Sequence, residues 1–161
     1  MMKIIDYEEK YLEDVKDLLV ELEKYILSID EDELDQLHLE YREKMAILDL
    51  EEVNGNDGKC YLAIIDNNVV GLIMGCVRKY DEYDYLDYKC PRCGEVTELV
   101  VSKNARDNGV GQKLMDTMEK YFKSIGCEYI TIDVFAYNKN AIKFYENNGY
   151  HTRGLIDIKK I

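Results

Sequence analysis

No stretch of the chain approaches the roughly 18 consecutive apolar positions of a membrane span. The first residues, MMKIIDYEEKYLEDV, carry acids where a secretory leader needs a basic patch and an apolar run. Cysteine occurs five times, at Cys60, Cys76, Cys90, Cys93 and Cys127, an odd number without the spacing of a disulfide framework. Together these absences predict a cytoplasmic protein kept in a reducing compartment, with no membrane partner. Histidine is scarce, with only His38 and His151, and nothing suggests a Ser-His-Asp or Cys-His apparatus. Proline occurs once, as Pro91, and no internal repeat or low-complexity tract is present. Basic charge is also short: the formal net charge is −12, which argues against a nucleic-acid partner.

What is present suits one domain: 161 residues, 47% hydrophobic and 34% charged. The acidity is uneven, with a net of −13 in residues 1–58 and +1 in residues 59–161. Residues 1–58 read as solvated acidic helices or as an acidic wall that attracts a cationic substrate. Leu12, Val15, Leu19, Leu22 and Ile26 recur at helical spacing, and the pattern is repeated over 30–50 by Leu34, Leu37, Tyr41, Met45 and Leu48. NGNDG at 54–58 then reads as a loop. Beyond it the period falls to two: KCYLAII and VVGLIMGCV, split by DNN, predict a β-hairpin. A tyrosine- and acid-rich loop leads to a strand at 95–101. A helix then carries Val110, Leu114, Met118, Phe122 and Ile125 on one face. EYITIDVF predicts a strand, NKNAIKFYENN a helix and YHTRGLIDIKK a closing strand. The expected class is α+β, or mixed α/β, with helices flanking a central, mostly antiparallel sheet in a single domain, 1–161.

RDNGVG, Arg106–Gly111, joins the strand VTELVV to a helix, and two glycines at such a junction let a backbone approach an anion. A dinucleotide fingerprint needs a third glycine where Leu114 stands, and a Walker loop needs Gly-Lys-Ser/Thr, whereas Gln112 and Lys113 follow Gly111. The order strand, four-residue gap, R-x-x-G-x-G and helix instead resembles the acetyl-CoA-binding segment of the GCN5-related N-acetyltransferase (GNAT) family. Downstream, Asn138-Lys-Asn-Ala141-Ile-Lys-Phe-Tyr145-Glu-Asn-Asn-Gly149-Tyr150 is similar to that family's N-x-x-A-x-x-x-Y-x-x-x-G-[FY] signature. The two signatures cover residues 95–150 closely.

The resemblance implies acetyl transfer from acetyl-CoA directly to a primary amine, within a ternary complex. It implies that the backbone of Asp107, Asn108, Gly109, Val110 and Gly111 receives the pyrophosphate, with Arg106 adding charge or forming a surface salt bridge. It places the pantetheine arm where strands 97–101 and 130–135 splay, held by the backbone of Leu99, Val100 and Val101, with Asn138 in contact or capping a helix. Tyr145 occupies the position of the general acid that protonates the departing thiolate. Glu95 stands where the family's histone acetyltransferases carry a general base. Glu98 is the other carboxylate on that strand, and alternation sets the two on opposite faces unless a bulge intervenes.

Cys90 and Cys93 in CPRCG have the turn chemistry of a zinc knuckle but lack a second pair within the chain, so a plain reduced turn is the expectation. The acidic part, 1–58, and the tyrosine-rich loop are expected to shape the acceptor site for a cationic small molecule or a protein amine. A homodimer stays open. The rival reading is a non-catalytic acyl-CoA-binding module of the same fold.

Overall fold

The switch from helical to alternating periodicity builds helices on both faces of one sheet. The computed structural model describes residues 1–161. Its elements run β1 (Lys3–Asp6), α1 (Leu12–Ile29), α2 (Tyr41–Gly55), β2 (Lys59–Ile65), β3 (Asn68–Val77), α3 (Asp84–Asp87) and β4 (Cys93–Val101). Then come α4 (Val110–Ser124), β5 (Tyr129–Ile132) and α5 (Lys139–Asn147). The strands lie side by side in sequence order. The first three pairings are antiparallel and β4 with β5 is parallel, which gives the expected mostly antiparallel mixed sheet. No helix is long and apolar enough to cross a membrane.

Each face has its own core. On one, Val15, Leu18 and Leu19 of α1 and Ala46, Leu50 and Val53 of α2 pack on Leu62, Leu72, Met74 and Val100. On the other, Val110, Leu114, Met115, Met118 and Phe122 of α4 cover Ala63, Ile73 and Val96. Ion pairs hold the two acidic helices together: Lys16 Nζ reaches Glu43 Oε2 at 2.6 Å, and Arg42 Nη2 reaches Asp17 Oδ1 at 2.8 Å.

Three sequence expectations need correction. Residues 31–40 are not helical. The Asp30 carboxylate accepts the backbone N–H groups of Asp32, Leu34 and Asp35 (3.0, 2.7 and 2.9 Å), so the side chain competes for the amides that a helix would use. Leu34 in that turn is exposed, as is Leu48 on the outer side of the second helix, which runs through Asn54 and Gly55 of the expected loop. The strand expected over EYITIDVF keeps only Tyr129–Ile132. The closing strand does not form: residues 151–161 have no regular secondary structure and are exposed, outside the sheet.

A bulge in β4 matters for the site. Met74 stands opposite Glu98 and Gly75 opposite Val96, so Thr97 is the extra residue. One inserted residue reverses the alternation, and Glu95 and Glu98 then share a face.

Candidate active site

Between β4 and α4 the chain makes a single 3-10 turn at Lys103–Ala105 and then enters RDNGVG. Asp107 (φ 62) and Gly109 (φ 73) both adopt the left-handed conformation, and Gly109 is the residue from which α4 starts. The first bond of the helix is Lys113 N–H to Gly109 O at 3.1 Å, so the N–H groups of Val110, Gly111 and Gln112 have no acceptor within the chain. They form a cluster of aligned donors at the positive end of the helix dipole. At Gly111 an added Cβ would meet nothing closer than Phe144 Cζ at 3.6 Å and Val101 Cγ2 at 3.7 Å. Internal packing therefore does not require glycine there. An open helix end lined with unpartnered donors fits a pyrophosphate. Arg106 lies on the exposed side of this turn. Its Nε donates to Val101 O at 3.0 Å, Nη2 lies 3.8 Å from Glu21 Oε1, and the guanidinium sits 5.5 Å from the Tyr25 ring centre.

The parallel pairing of β4 and β5 stops at Val96 and Ile132, while β4 continues to Val101 with no neighbour on that side. The backbone of Leu99, Val100 and Val101 thus borders an opening between the two strands. Across it begins α5, capped by Asn138, whose Oδ1 accepts from Ala141 N at 3.2 Å and from Tyr25 Oη at 3.4 Å. Tyr145 lies on α5 between Phe144 and Tyr150, with ring centres 5.4 and 5.9 Å away. Burial, reinforced by Glu98, pushes its phenol up to about 12, so Tyr145 holds its proton at neutral pH.

Glu98 joins this phenol to the acidic helices. Burial, then the charges of Asp49 and Glu23, pushes its carboxyl up to about 8. Asp49 of α2 is pushed up to about 6, by burial and then Glu52. Glu23 of α1 is raised by burial and then Asp35. The Tyr41 phenol is raised by burial and then by Glu23, Glu98 and Asp49, which places it among the three carboxylates. None of the three has a cationic partner in the chain. Asp49 Oδ2 is buried without any hydrogen-bond partner. Glu95 is drawn elsewhere on the same face. It contributes, after burial and Glu52, to raising the thiol of Cys76, which stands opposite it on β3.

The sequence reading assigned the acidic helices to an acceptor wall but did not single out Glu23, Tyr41 or Asp49. A signal was present. Asp49 follows Tyr41 and Met45 at steps of four, and Glu23 follows Val15 and Leu19 in the same way, so each acid falls on an inward apolar stripe. Cys93 is buried and Cys90 occupies a left-handed turn (φ 48). No group of three or more His, Cys, Asp or Glu side chains is placed to hold a metal ion.

Comparisons with known proteins bear on this arrangement. N-acetyltransferase MJ1530 of Methanocaldococcus jannaschii, itself uncharacterised, is 35% identical over 97 residues, covering 60% of this chain and 54% of that protein. The chain therefore spans about half the length of that relative. A putative acetyl transferase from Pyrococcus furiosus shares the fold over the whole of both chains, with a TM-score of 0.76 at 23% identity. AAC(6')-Iy, solved with the bisubstrate analogue CoA-S-monomethyl-acetylneamine, matches with a TM-score of 0.70 at 17% identity, covering 100% of this chain and 99% of that one. The sequence model of the Acetyltransferase (GNAT) family matches residues 24–150, and with that the chain belongs to the GNAT family.

Proposed function

We propose that the protein transfers the acetyl group of acetyl-CoA to a primary amine carried on a cationic acceptor. The observation that carries this reading is Glu98, set between the Tyr145 phenol and the unpaired carboxylates Asp49 and Glu23. Bound acetyl-CoA supplies the acetyl group as a thioester. The N–H groups of Val110, Gly111 and Gln112, with those of Asp107, Asn108 and Gly109 beside them, receive the pyrophosphate. The β4 backbone at Leu99–Val101 aligns the arm, and its donors meet the negative charge that develops on the carbonyl oxygen. Residues 95–150 thus serve the cofactor and residues 1–58 the acceptor.

Glu98 is the base in this reading, in preference to Glu95. An arriving ammonium group favours ionisation of Glu98, and the carboxylate then takes a proton from the amine. The amine nitrogen bonds to the carbonyl carbon, the carbon–sulfur bond breaks, and Tyr145 Oη gives its proton to the departing thiolate. The AAC(6')-Iy complex, with its CoA-linked acetylneamine, supports an amine acceptor in this fold.

The test is thiol release from acetyl-CoA against polyamines, aminoglycosides, amino acids and lysine peptides, with acetyl-CoA binding measured in parallel. Tyr145→Phe and Glu98→Gln are each expected to lower kcat at least tenfold with binding intact, and Glu95→Gln to change it less than threefold. A larger loss in Glu95→Gln than in Glu98→Gln would reverse the assignment of the base. Tight binding without release from any acceptor would favour a CoA-binding module.

A further inference from the structure

The carbonyl oxygen of Tyr145 accepts two backbone N–H groups, from Asn148 at 2.9 Å and from Tyr150 at 3.0 Å. The side chains of those same two residues are bonded to α4. Asn148 Oδ1 accepts from Gln112 Nε2 at 2.6 Å, and Tyr150 Oη donates to Glu119 Oε1 at 3.2 Å. Gln112 and Glu119 lie two turns apart on one face of α4, about 10 Å along its axis. The end of α5 is therefore gripped at two separated points.

The neighbours force the orientation of both side-chain amides. Phe144 O takes Asn148 Nδ2 at 2.9 Å, and Asp116 Oδ1 takes Gln112 Nε2 at 2.8 Å. A carbonyl and a carboxylate can only accept. Asn148 thus turns its Nδ2 to its own helix and presents Oδ1 to the second hydrogen on Gln112 Nε2. A chain of bonds runs from Asp116 through Gln112 and Asn148 to the turn of α5 that carries Tyr145.

Gln112 also belongs to the phosphate turn, because its backbone N–H is one of the unpartnered donors at the start of α4. One residue faces the cofactor with its backbone and the acid's helix with its side chain. The ring contacts of Tyr145 with Phe144 and Tyr150 are apolar and non-directional, so they leave the height of α5 unset. Hydrogen bonds are directional and do set it. That height matters, because a general acid works only within hydrogen-bond reach of the atom it protonates.

We propose that Gln112 and Asn148 are positioning residues, whose bond locks the end of α5 to the phosphate turn and so sets Tyr145 Oη at the departing sulfur. The inference rests on the acetyl-transfer reading above and adds to it two residues that act through Tyr145.

The first test measures kcat and acetyl-CoA affinity in Gln112→Leu and Asn148→Leu, which remove the bond at similar volume. Each is expected to lower kcat about tenfold, as a displaced catalytic group does, with affinity within about twofold of wild type. Gln112→Lys, whose ammonium can donate to both Asn148 and Asp116, is expected to keep kcat within about threefold of wild type. In a Tyr145→Phe background, Asn148→Leu is expected to change kcat by less than about twofold, because the phenol it positions is gone. An unchanged kcat in Asn148→Leu, or an equal loss in the Tyr145→Phe background, would overturn the proposal.

A second measurement needs no turnover. With 3-fluorotyrosine in place of Tyr145, the fluorine resonance is expected to move in Gln112→Leu and to return in Gln112→Lys. That pattern without thiol release from any acceptor would remove acetyl transfer and leave the positioning of the phenol intact. A resonance indifferent to Gln112→Leu would overturn the positioning, whatever the activity.

Discussion

Gly109 and Gly111, two residues apart, are glycines for different reasons. Gly109 has φ 73, where a side chain is strained whatever the space around it. Gly111 has ordinary backbone and room for a methyl group, so its missing side chain matters only to what approaches from outside. Gly109→Ala is expected to lower stability by about 1 kcal/mol. Gly111→Ala is expected to stay within about 0.5 kcal/mol of wild type, as substitutions away from tight packing do. Yet it should weaken acetyl-CoA binding at least tenfold. Thermal melts beside a CoA titration check both, and full affinity in Gly111→Ala would remove the pyrophosphate from this helix end. Much at this scale was legible in the sequence, because the glycines, Asn138 and Tyr145 fall at fixed spacings within contiguous motifs. The relation of Glu95 to Glu98 was not. It turns on one bulged residue, Thr97, and no residue type announces a bulge there.

Among the elements, α1, α2 and β4 each direct a carboxylate to one place, and their assembly is strained by charge. Glu98, raised to about 8, binds its proton more tightly in the folded protein than an ordinary carboxylate does in the unfolded chain. Its contribution to stability is therefore full at acidic pH and is lost as pH rises through about 8. Asp49, raised to about 6, adds a similar loss at lower pH. Glu98→Gln is expected to melt with the wild type near pH 4 and above it at pH 9. Each kcal/mol regained is worth about 2–4 °C in a chain of this size. Equal melting of the two proteins across that range would refute the burial of a charged Glu98. Strongly periodic elements were also legible, notably α4, whose stripe from Val110 to Phe122 is the one buried. Residues 31–40 misled because Leu34 and Leu37 keep helical spacing while the Asp30 carboxylate binds the local amides instead.

The whole molecule sorts its charge as it sorts its chemistry. The acidic part, residues 1–58, supplies α1 and α2 and covers one face of the sheet, and the nearly neutral remainder supplies the Arg106–Gly111 turn and α5. That division was visible in the sequence as a composition shift. The fate of residues 151–161 was not, because alternation shows that a segment suits a strand and says nothing of which edge it meets. The short parallel seam between β4 and β5 has a consequence for how the protein opens. β2, β3 and β4 are joined by ladders of seven pairs each, whereas β5 is held by four. Amide hydrogens of Tyr129–Ile132 are therefore expected to exchange with solvent before those of the three central strands. Acetyl-CoA lying between β4 and α5 would bind only the closed form and slow that exchange. Exchange rates along β5, measured with and without CoA, would show the edge of the sheet fastened by its own substrate.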